Sequence, residues 1–302
     1  MKAPLIFDIK RYAINDGPGI RVTLFFKGCP LACAWCHNPE SISSRPQKLF
    51  TAAKCIGCGE CVKACPNQAC SLTAQGIITD PQRCQLCAAC ARICPTRATE
   101  VSGRTYALPE LLAIIEKERP QFDQSGGGVT LSGGEPLLHP QFVSELLDRC
   151  GERSIHRTID TCGYVAGETL LQVARRTDLF LYDLKLIDAE RHRQWTGVDN
   201  RLILSNLQAL AATGARIQMR IPLLPGVNAD RDNLDQTAAF IARLEGKKKT
   251  VNLLPYHAIA THKHAKLGGH YRAAELREPS PDELDLARNC FAARGLDVMV
   301  GG

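Results

Sequence analysis

The sequence predicts an α/β fold, a partial (β/α)6 barrel of parallel strands with one inserted cysteine-rich domain. Three observations point there. Short β-rich runs alternate with amphipathic helical patterns along most of the 302 residues. Twelve of the fifteen cysteines lie between Cys29 and Cys94, whereas a disulfide scaffold belongs to short secreted chains with weak cores. An apolar content of 45% is enough for a substantial core.

Strands are expected at VTLFF (22–26), GVTLS (128–132), SIHRTID (154–160), LFLYDLK (179–185), RIQMRIP (216–222) and TVNLLP (250–255). Between them PELLAIIEKER, PQFVSELLDRC, ETLLQVARR, NLQALAATG and NLDQTAAFIARLE have helical periodicity. Six such strands suit a partial barrel, and periodicity alone fits an open doubly wound sheet equally. The cysteine-dense segment interrupts the first βα unit. Residues 50–100 are therefore expected to form an insert, with 1–49 and 101–302 forming the barrel. SGGGV (125–129) reads as a flexible joint into the second strand.

The opening MKAPLIFDIKRY has too short an apolar run for a signal peptide, and no stretch reaches the ~18 apolar residues of a membrane span. A cytoplasmic protein without a membrane partner is expected. The net charge of +6 suggests nucleic acid at first sight. Eleven thiolates in metal clusters would offset it to roughly +1, so no nucleic-acid partner is expected, and Lys247, Lys248 and Lys249 read as a solvated helix end.

The insert carries CxxCxxCxxxCP twice: Cys55, Cys58, Cys61, Cys65, Pro66 and Cys84, Cys87, Cys90, Cys94, Pro95. This is the bacterial two-cluster ferredoxin spacing, in which each fourth cysteine crosses to the other cube. One [4Fe-4S] cluster then takes Cys55, Cys58, Cys61 and Cys94, and the other takes Cys84, Cys87, Cys90 and Cys65. Zinc competes for single CxxC pairs, but two identical four-cysteine runs favour cubes. Cys70 stands outside the pattern as a small buried hydrophobe, and Cys150, Cys162 and Cys290 carry no assignment.

The loop GCPLACAWCHNPES (28–41) differs. Cys29, Cys33 and Cys36 supply three ligands to a cube with four irons, and an open metal position marks a reactive site. The competing reading closes the cube with a distant cysteine, for which Cys162, just after the third strand, is placed.

The CxxxCxxC spacing with Trp35 before its last cysteine resembles the radical S-adenosylmethionine (SAM) enzymes, whose fold is a full or partial (β/α) barrel. More narrowly, DGPGIR (16–21), CxxCHNPE (33–40), the double ferredoxin insert, SGGEP (132–136), DTCGY (160–164), DLK (183–185), RIPLLPGVN (220–228) and LLPYH (253–257) resemble the activating enzymes of glycyl radical enzymes. The motifs span nearly the whole chain, and each of the cluster loop, SGGEP, DTCGY, DLK, RIPLLPG and LLPYH follows an expected strand, the functional face of a (β/α) barrel.

The resemblance implies an anaerobic oxidoreductase that cleaves SAM reductively and abstracts a glycine Cα hydrogen from a partner enzyme. It implies three [4Fe-4S] clusters, SAM, and a monovalent cation at Asp160, Thr161 and Asp183. SAM would be met by Trp35, Gly133, Gly134, Glu135, Asp183, Lys185 and His257. Asp16 and Arg21 would dock the partner's glycine loop. Each has a plainer reading: a tight turn for the glycines, a surface ion pair for Asp183 and Lys185, a structural histidine for His257, a Gly-Pro turn with a surface arginine for DGPGIR. His262, His264 and His270 read as a loop cluster without a role. The implied partners are a glycyl radical lyase, dehydratase or decarboxylase and a low-potential donor such as ferredoxin or flavodoxin, with the activator itself a monomer. Choline, glycerol or diol, hydroxyproline, isethionate and arylacetate systems all fit. Two other readings stand beside this one: a radical SAM enzyme acting on another peptide or a small molecule, and an electron-transfer polyferredoxin.

Overall fold

The computed structural model describes residues 3–247, 249–269 and 271–301. The chain opens with an antiparallel hairpin, β1 (Leu5–Ala13) and β2 (Arg21–Phe26). The insert follows, with β3 (Gln47–Phe50), α1 (Glu60–Lys63), β4 (Cys70–Thr73), β5 (Gly76–Thr79), α2 (Ala89–Ile93) and β6 (Thr99–Ser102). β3 pairs antiparallel with β6 as its neck, and β4 pairs with β5. The chain then returns through β7 (Arg104–Thr105), which lies on β1.

The remainder alternates: α3 (Leu108–Glu116), α4 (Arg119–Ser125), β8 (Gly128–Gly133), α5 (Pro140–Gly151), β9 (His156–Thr161), α6 (Gly167–Ala174) and β10 (Leu179–Asp183). After these come α7 (Ala189–Thr196), α8 (Arg201–Ala212), β11 (Ile217–Leu223), α9 (Arg231–Ala242), β12 (Thr250–Pro255), α10 (Thr261–Lys266), α11 (Pro281–Ala292) and β13 (Asp297–Val300). One sheet runs β13-β12-β11-β10-β9-β8-β2-β1-β7, parallel from β2 through β13. All six expected strands are present. β13 adds a seventh parallel strand and β1 an antiparallel one.

The sheet is curled, and one contact shows it. Arg220 on β11 comes within 3.9 Å of Asp16, in the loop before β2. Those strands stand four places apart, about 19 Å in a flat sheet at roughly 4.8 Å per strand. Two side chains cannot span that gap, so the sheet closes toward itself as a partial barrel.

Strand alternation separates two environments. Val22, Leu24, Val129, Leu131, Ile159, Phe180, Met219, Ile221, Val251 and Leu253 form one core with helix residues such as Leu146, Leu207 and Leu234. The concave face is polar. There Arg21 reaches Thr130 and Thr158, Thr23 donates to Asp16, and Ser132 donates to Asp160.

Two expectations are corrected. Gly127 and Gly128 are a locked crossing, not a flexible joint: a Cβ on Gly127 would stand 1.8 Å from the Ile20 carbonyl oxygen and one on Gly128 2.1 Å from that of His156, and the Ile20 N–H donates to the Ser125 hydroxyl at 2.8 Å. Only a residue without a side chain lets the two backbones cross so closely. Lys249 is buried rather than solvated, its ammonium donating to the carbonyl of Glu245 at 2.8 Å and to that of Lys247. Lys248 lies outside the described residues.

Candidate active site and metal centres

The loop from Gly28 leaves β2 at its C-terminal end and is fixed by backbone bonds before any metal is considered. The N–H groups of Gly28 and Cys29 donate to Ser41 and Ile42, and those of Ala32 and Ala34 donate to Thr196 and Trp195 of α7. Trp35 is buried with Leu186, Leu224, Val227 and Tyr256. Its ring lies 6.4 Å from that of Trp195. The segment after β12 closes the rim, with His264 bonded to the Cys36 carbonyl at 3.0 Å and Lys263 to Asn38 and Glu40.

Cys29, Cys33 and Cys36 are thus presented by one rigid loop. Burial pushes the Cys33 thiol up to about 11 and the Cys36 thiol up to about 12. A hydrogen bond with Cys162 holds Cys29 below its ordinary range. Cys162 is therefore close to the trio, but its own Sγ also meets the Glu135 carboxylate at 3.0 Å.

SGGEP does its work on the protein's own backbone. A Cβ on Gly133 would meet the Phe26 nitrogen at 2.4 Å, and one on Gly134 would meet the Gly28 carbonyl oxygen at 2.1 Å. Gly134 and Glu135 instead donate their N–H groups to Phe26 and Gly28, at 2.8 and 2.7 Å. The motif welds the end of β8 to the root of the cysteine loop. Glu135, wholly buried, accepts from the Thr161 hydroxyl (2.8 Å), the Cys162 N–H (2.9 Å) and the Leu137 N–H (3.1 Å). Burial raises its pKa, and these donors hold it back.

Lys185 and Asp183 form a 2.7 Å ion pair at the end of β10, with the lysine 9% exposed. Burial pulls the lysine down, but Asp183 and the nearby thiols outweigh it, and the ammonium is held well above its usual value. The strand stops at Asp183, and that bend lets both residues reach the mouth. Its loop is braced by Asn228 of RIPLLPGVN, which donates to the carbonyls of Lys185 (2.8 Å) and Pro222 (2.5 Å).

Asp160 accepts from Ser132 at 2.6 Å and stands 3.6 Å from Arg220. Burial pushes its carboxyl up to about 6, with Arg220 opposing and Asp183 and Asp16 adding to the rise. Thr161 does not join this group. As the next residue on β9 it points to the other face, and its hydroxyl is committed to Glu135. His257 is exposed, its ring 6.3 Å from that of His37. His262 is exposed and His264 bonds the cysteine loop, whereas His270 lies outside the described residues.

Arg21 is corrected outright. It is 0% exposed and spends its guanidinium on Thr130, Thr158 and the carbonyls of Pro18 and Val129. It braces the start of β2 inside the barrel and is out of reach of a partner loop. Sequence reasoning also passed over Arg220, whose buried Nε and Nη1 have no hydrogen-bond partner among the described residues. A charged residue at an inward position of the alternating strand RIQMRIP was the available signal.

In the insert, Cys65, Cys84, Cys87 and Cys90, with Cys70 beside them, line one cavity, and Cys55, Cys58, Cys61 and Cys94 line a second. Each cavity draws its fourth cysteine from the other half of the repeat. Three thiols at intervals of three residues with a fourth from the other run suit the corners of a cubane.

A family model for the radical SAM superfamily matches residues 81–238, and one for a 4Fe-4S dicluster domain matches 54–98. The chain is 43% identical to the trans-4-hydroxy-L-proline dehydratase activating enzyme of Clostridioides difficile, over 99% of each chain. It is 41% identical to the choline trimethylamine-lyase activating enzyme of Oleidesulfovibrio alaskensis, over 98% of this chain and 96% of that one. Benzylsuccinate synthase activating enzyme of Thauera aromatica is 37% identical, over 100% and 94%. Among solved structures, a domain of pyruvate-formate lyase-activating enzyme from Bacteroides vulgatus is 38% identical with a TM-score of 0.51, covering 59% of this chain and all of that one. A radical SAM methyltransferase from Sphaerobacter thermophilus, at 15% identity and a TM-score of 0.56 over 99% of this chain and 77% of that one, shares the fold.

Proposed function

We infer, for a chain that belongs to the activating enzymes of glycyl radical enzymes within the radical SAM superfamily, that Cys29, Cys33 and Cys36 hold its catalytic [4Fe-4S] cluster with one iron left for SAM. The protein is an oxidoreductase that installs a glycyl radical in a partner lyase, dehydratase or decarboxylase. When bound, the cluster and SAM supply a 5′-deoxyadenosyl radical that takes the glycine Cα hydrogen. The observation that carries the site assignment is the convergence of the three thiols, the Asp183–Lys185 pair and the Glu135 network on one barrel mouth.

The chain's own residues hold, orient and exclude. Trp35 and its neighbours wall the loop against water. Lys185 presents a positive charge beside the thiols, suited to a carboxylate of the methionine part of SAM. The backbone of Gly133 and Gly134, pinned to β2, fixes the adjacent wall, and His257 stands at the rim beyond β12. Glu135 keeps Cys162 occupied as a protonated thiol, which leaves the cube three ligands from protein. A monovalent cation beside Asp160 and Asp183 belongs to the same proposal, without the Thr161 hydroxyl.

The insert, residues 50–100 in this reading, would hold two further [4Fe-4S] clusters, one in each cavity, fed by a low-potential ferredoxin or flavodoxin. Asp16 faces the mouth, and Tyr12 and Ile14 beside it are 54% and 69% exposed, so this hairpin edge is where the partner's glycine loop would dock. The test is anaerobic incubation with SAM, reductant and a glycyl radical enzyme, read by electron paramagnetic resonance (EPR). A glycyl doublet on the partner, with 5′-deoxyadenosine released, is expected. Cleavage of SAM with no doublet on any such partner would move the activity to another peptide or a small molecule.

A further inference from the structure

The two insert cavities are not electrically equivalent. Among the described residues lining the cavity of Cys65, Cys84, Cys87 and Cys90, one side chain is charged, the ammonium of Lys48; outside the lining, Arg92 donates to the Cys87 carbonyl at 3.0 Å. The one lined by Cys55, Cys58, Cys61 and Cys94 contains no cation and a single anion, Glu60, itself paired with Lys63 at 2.7 Å. Lys48 is held in place, donating to the Thr79 hydroxyl at 2.6 Å and to Cys70 Sγ at 3.2 Å. Cys70, outside both ligand sets, is thereby more than filler: with Thr79 it aims a half-buried ammonium along the cavity wall and leaves that ammonium one further donor.

The neck orders the cavities. Lys48 pairs with Val101, and both line the first cavity; Phe50 pairs with Thr99, and both line the second. Residues two apart share a strand face and are separated by about 7 Å. The Gln47–Ser102 pair is the end of the neck tied to the barrel, where Lys27 donates to Gln47 at 3.0 Å. The cavity with Lys48 is therefore proximal to the barrel and the one with Glu60 is distal.

We propose that Lys48 raises the reduction potential of the proximal cluster above that of the distal one, so that the first electron entering the insert rests on the cluster held by Cys65, Cys84, Cys87 and Cys90. A four-thiolate cube goes from −2 to −3 when it accepts one electron. A fixed cation beside it stabilises the more negative form, and an apolar or anionic wall does not. Lys48 is a positioning residue that acts on the electron through charge, and the proposal rests on the reading of the insert as a two-cluster domain.

The experiment uses the reconstituted full chain with Cys29, Cys33 and Cys36 replaced by Ala, titrated potentiometrically with dithionite as the one-electron source and followed by EPR. Iron analysis comes first. About eight irons and two spin systems support the two-cluster reading, and fewer would sink that reading before any lysine variant is made. With both clusters present, two separate potentials are expected, the higher one lost in Cys87→Ser. In Lys48→Met the reduced-to-oxidised ratio of that cluster at fixed potential should fall at least tenfold, about 59 mV for one electron, with the distal cluster moved less than half as far and Lys48→Arg close to the parent. Coincident potentials in the parent, or a Lys48→Met shift equal in both clusters or absent from both, would overturn the proposal. Should Lys48→Met lose iron, Lys48→Gln at full iron content takes its place; iron loss in both, with Lys48→Arg intact, assigns Lys48 to folding and overturns it as well.

Discussion

The guanidinium of Arg220 lies 3.6 Å from the Asp160 carboxylate and 3.9 Å from that of Asp16, drawing three elements of the barrel onto one half-buried cation. Among the described residues its Nε and Nη1 make no hydrogen bond, so it neutralises by charge rather than by a fitted fork. Removing it leaves carboxylates facing one another in a poorly solvated mouth. Arg220→Met is expected to cost about 3 kcal/mol of stability, measured as a lowered urea midpoint, and the cost should shrink in the double variant with Asp160→Asn.

Asp160 gives a pH signature. Burial, partly offset by Arg220, raises its carboxyl from 3.8 to about 6. The folded chain thus keeps this proton to higher pH than the unfolded chain, and the stability from the protonated form is fully present below 3.8 and lost as pH rises through about 6. With no monovalent cation bound, unfolding midpoints should decline across that window by the equivalent of about 2–3 kcal/mol, and Asp160→Asn should flatten the decline.

Glu135 is the joint between the end of β8 and the end of β9. Glu135→Ala strands four donors, the Thr161 hydroxyl, the Cys162 thiol and the N–H groups of Leu137 and Cys162, and is expected to cost roughly 3 kcal/mol. Glu135→Gln keeps an acceptor and should cost less than half as much. Equal losses for the two variants, by thermal unfolding under anaerobic conditions, would contradict the role given to the carboxylate.

The crossing of fourth cysteines is separable by iron content. Cys65→Ala and Cys87→Ala should remove the same cluster, and Cys94→Ala and Cys58→Ala the other, each variant losing about four irons. Cys162→Ser should keep all of its iron and its response to SAM. Loss of the third cluster in Cys162→Ser would assign that thiol to the cube and close it.

Much of this was legible in the chain. The six inner strands, the insert and the cysteine sets follow from periodicity and spacing, because burial on both faces forces β-branched runs and a cube forces short intervals. β1 and β13 escaped notice because neither carries a clean pattern: β1, LIFDIKRYA, has charged residues at exposed positions, and β13 is an edge strand four residues long. Site residues could be proposed where a motif names them, and Arg220 was passed over because only three-dimensional closure gives it a task. Arg21 reads as a surface arginine beside a turn until the curl buries it. Lys48 has no motif at all, and its position beside a cavity comes from pairing between strands some fifty residues apart.

The open corner of the cube at Cys29, Cys33 and Cys36 is tested most directly by the EPR spectrum of the reduced, fully reconstituted protein with and without SAM. A shift in the signal of one cluster, absent after replacing any of the three cysteines and retained in Cys162→Ser, is the expected result. An unchanged spectrum at saturating SAM, or SAM cleavage persisting in Cys33→Ala, would contradict it.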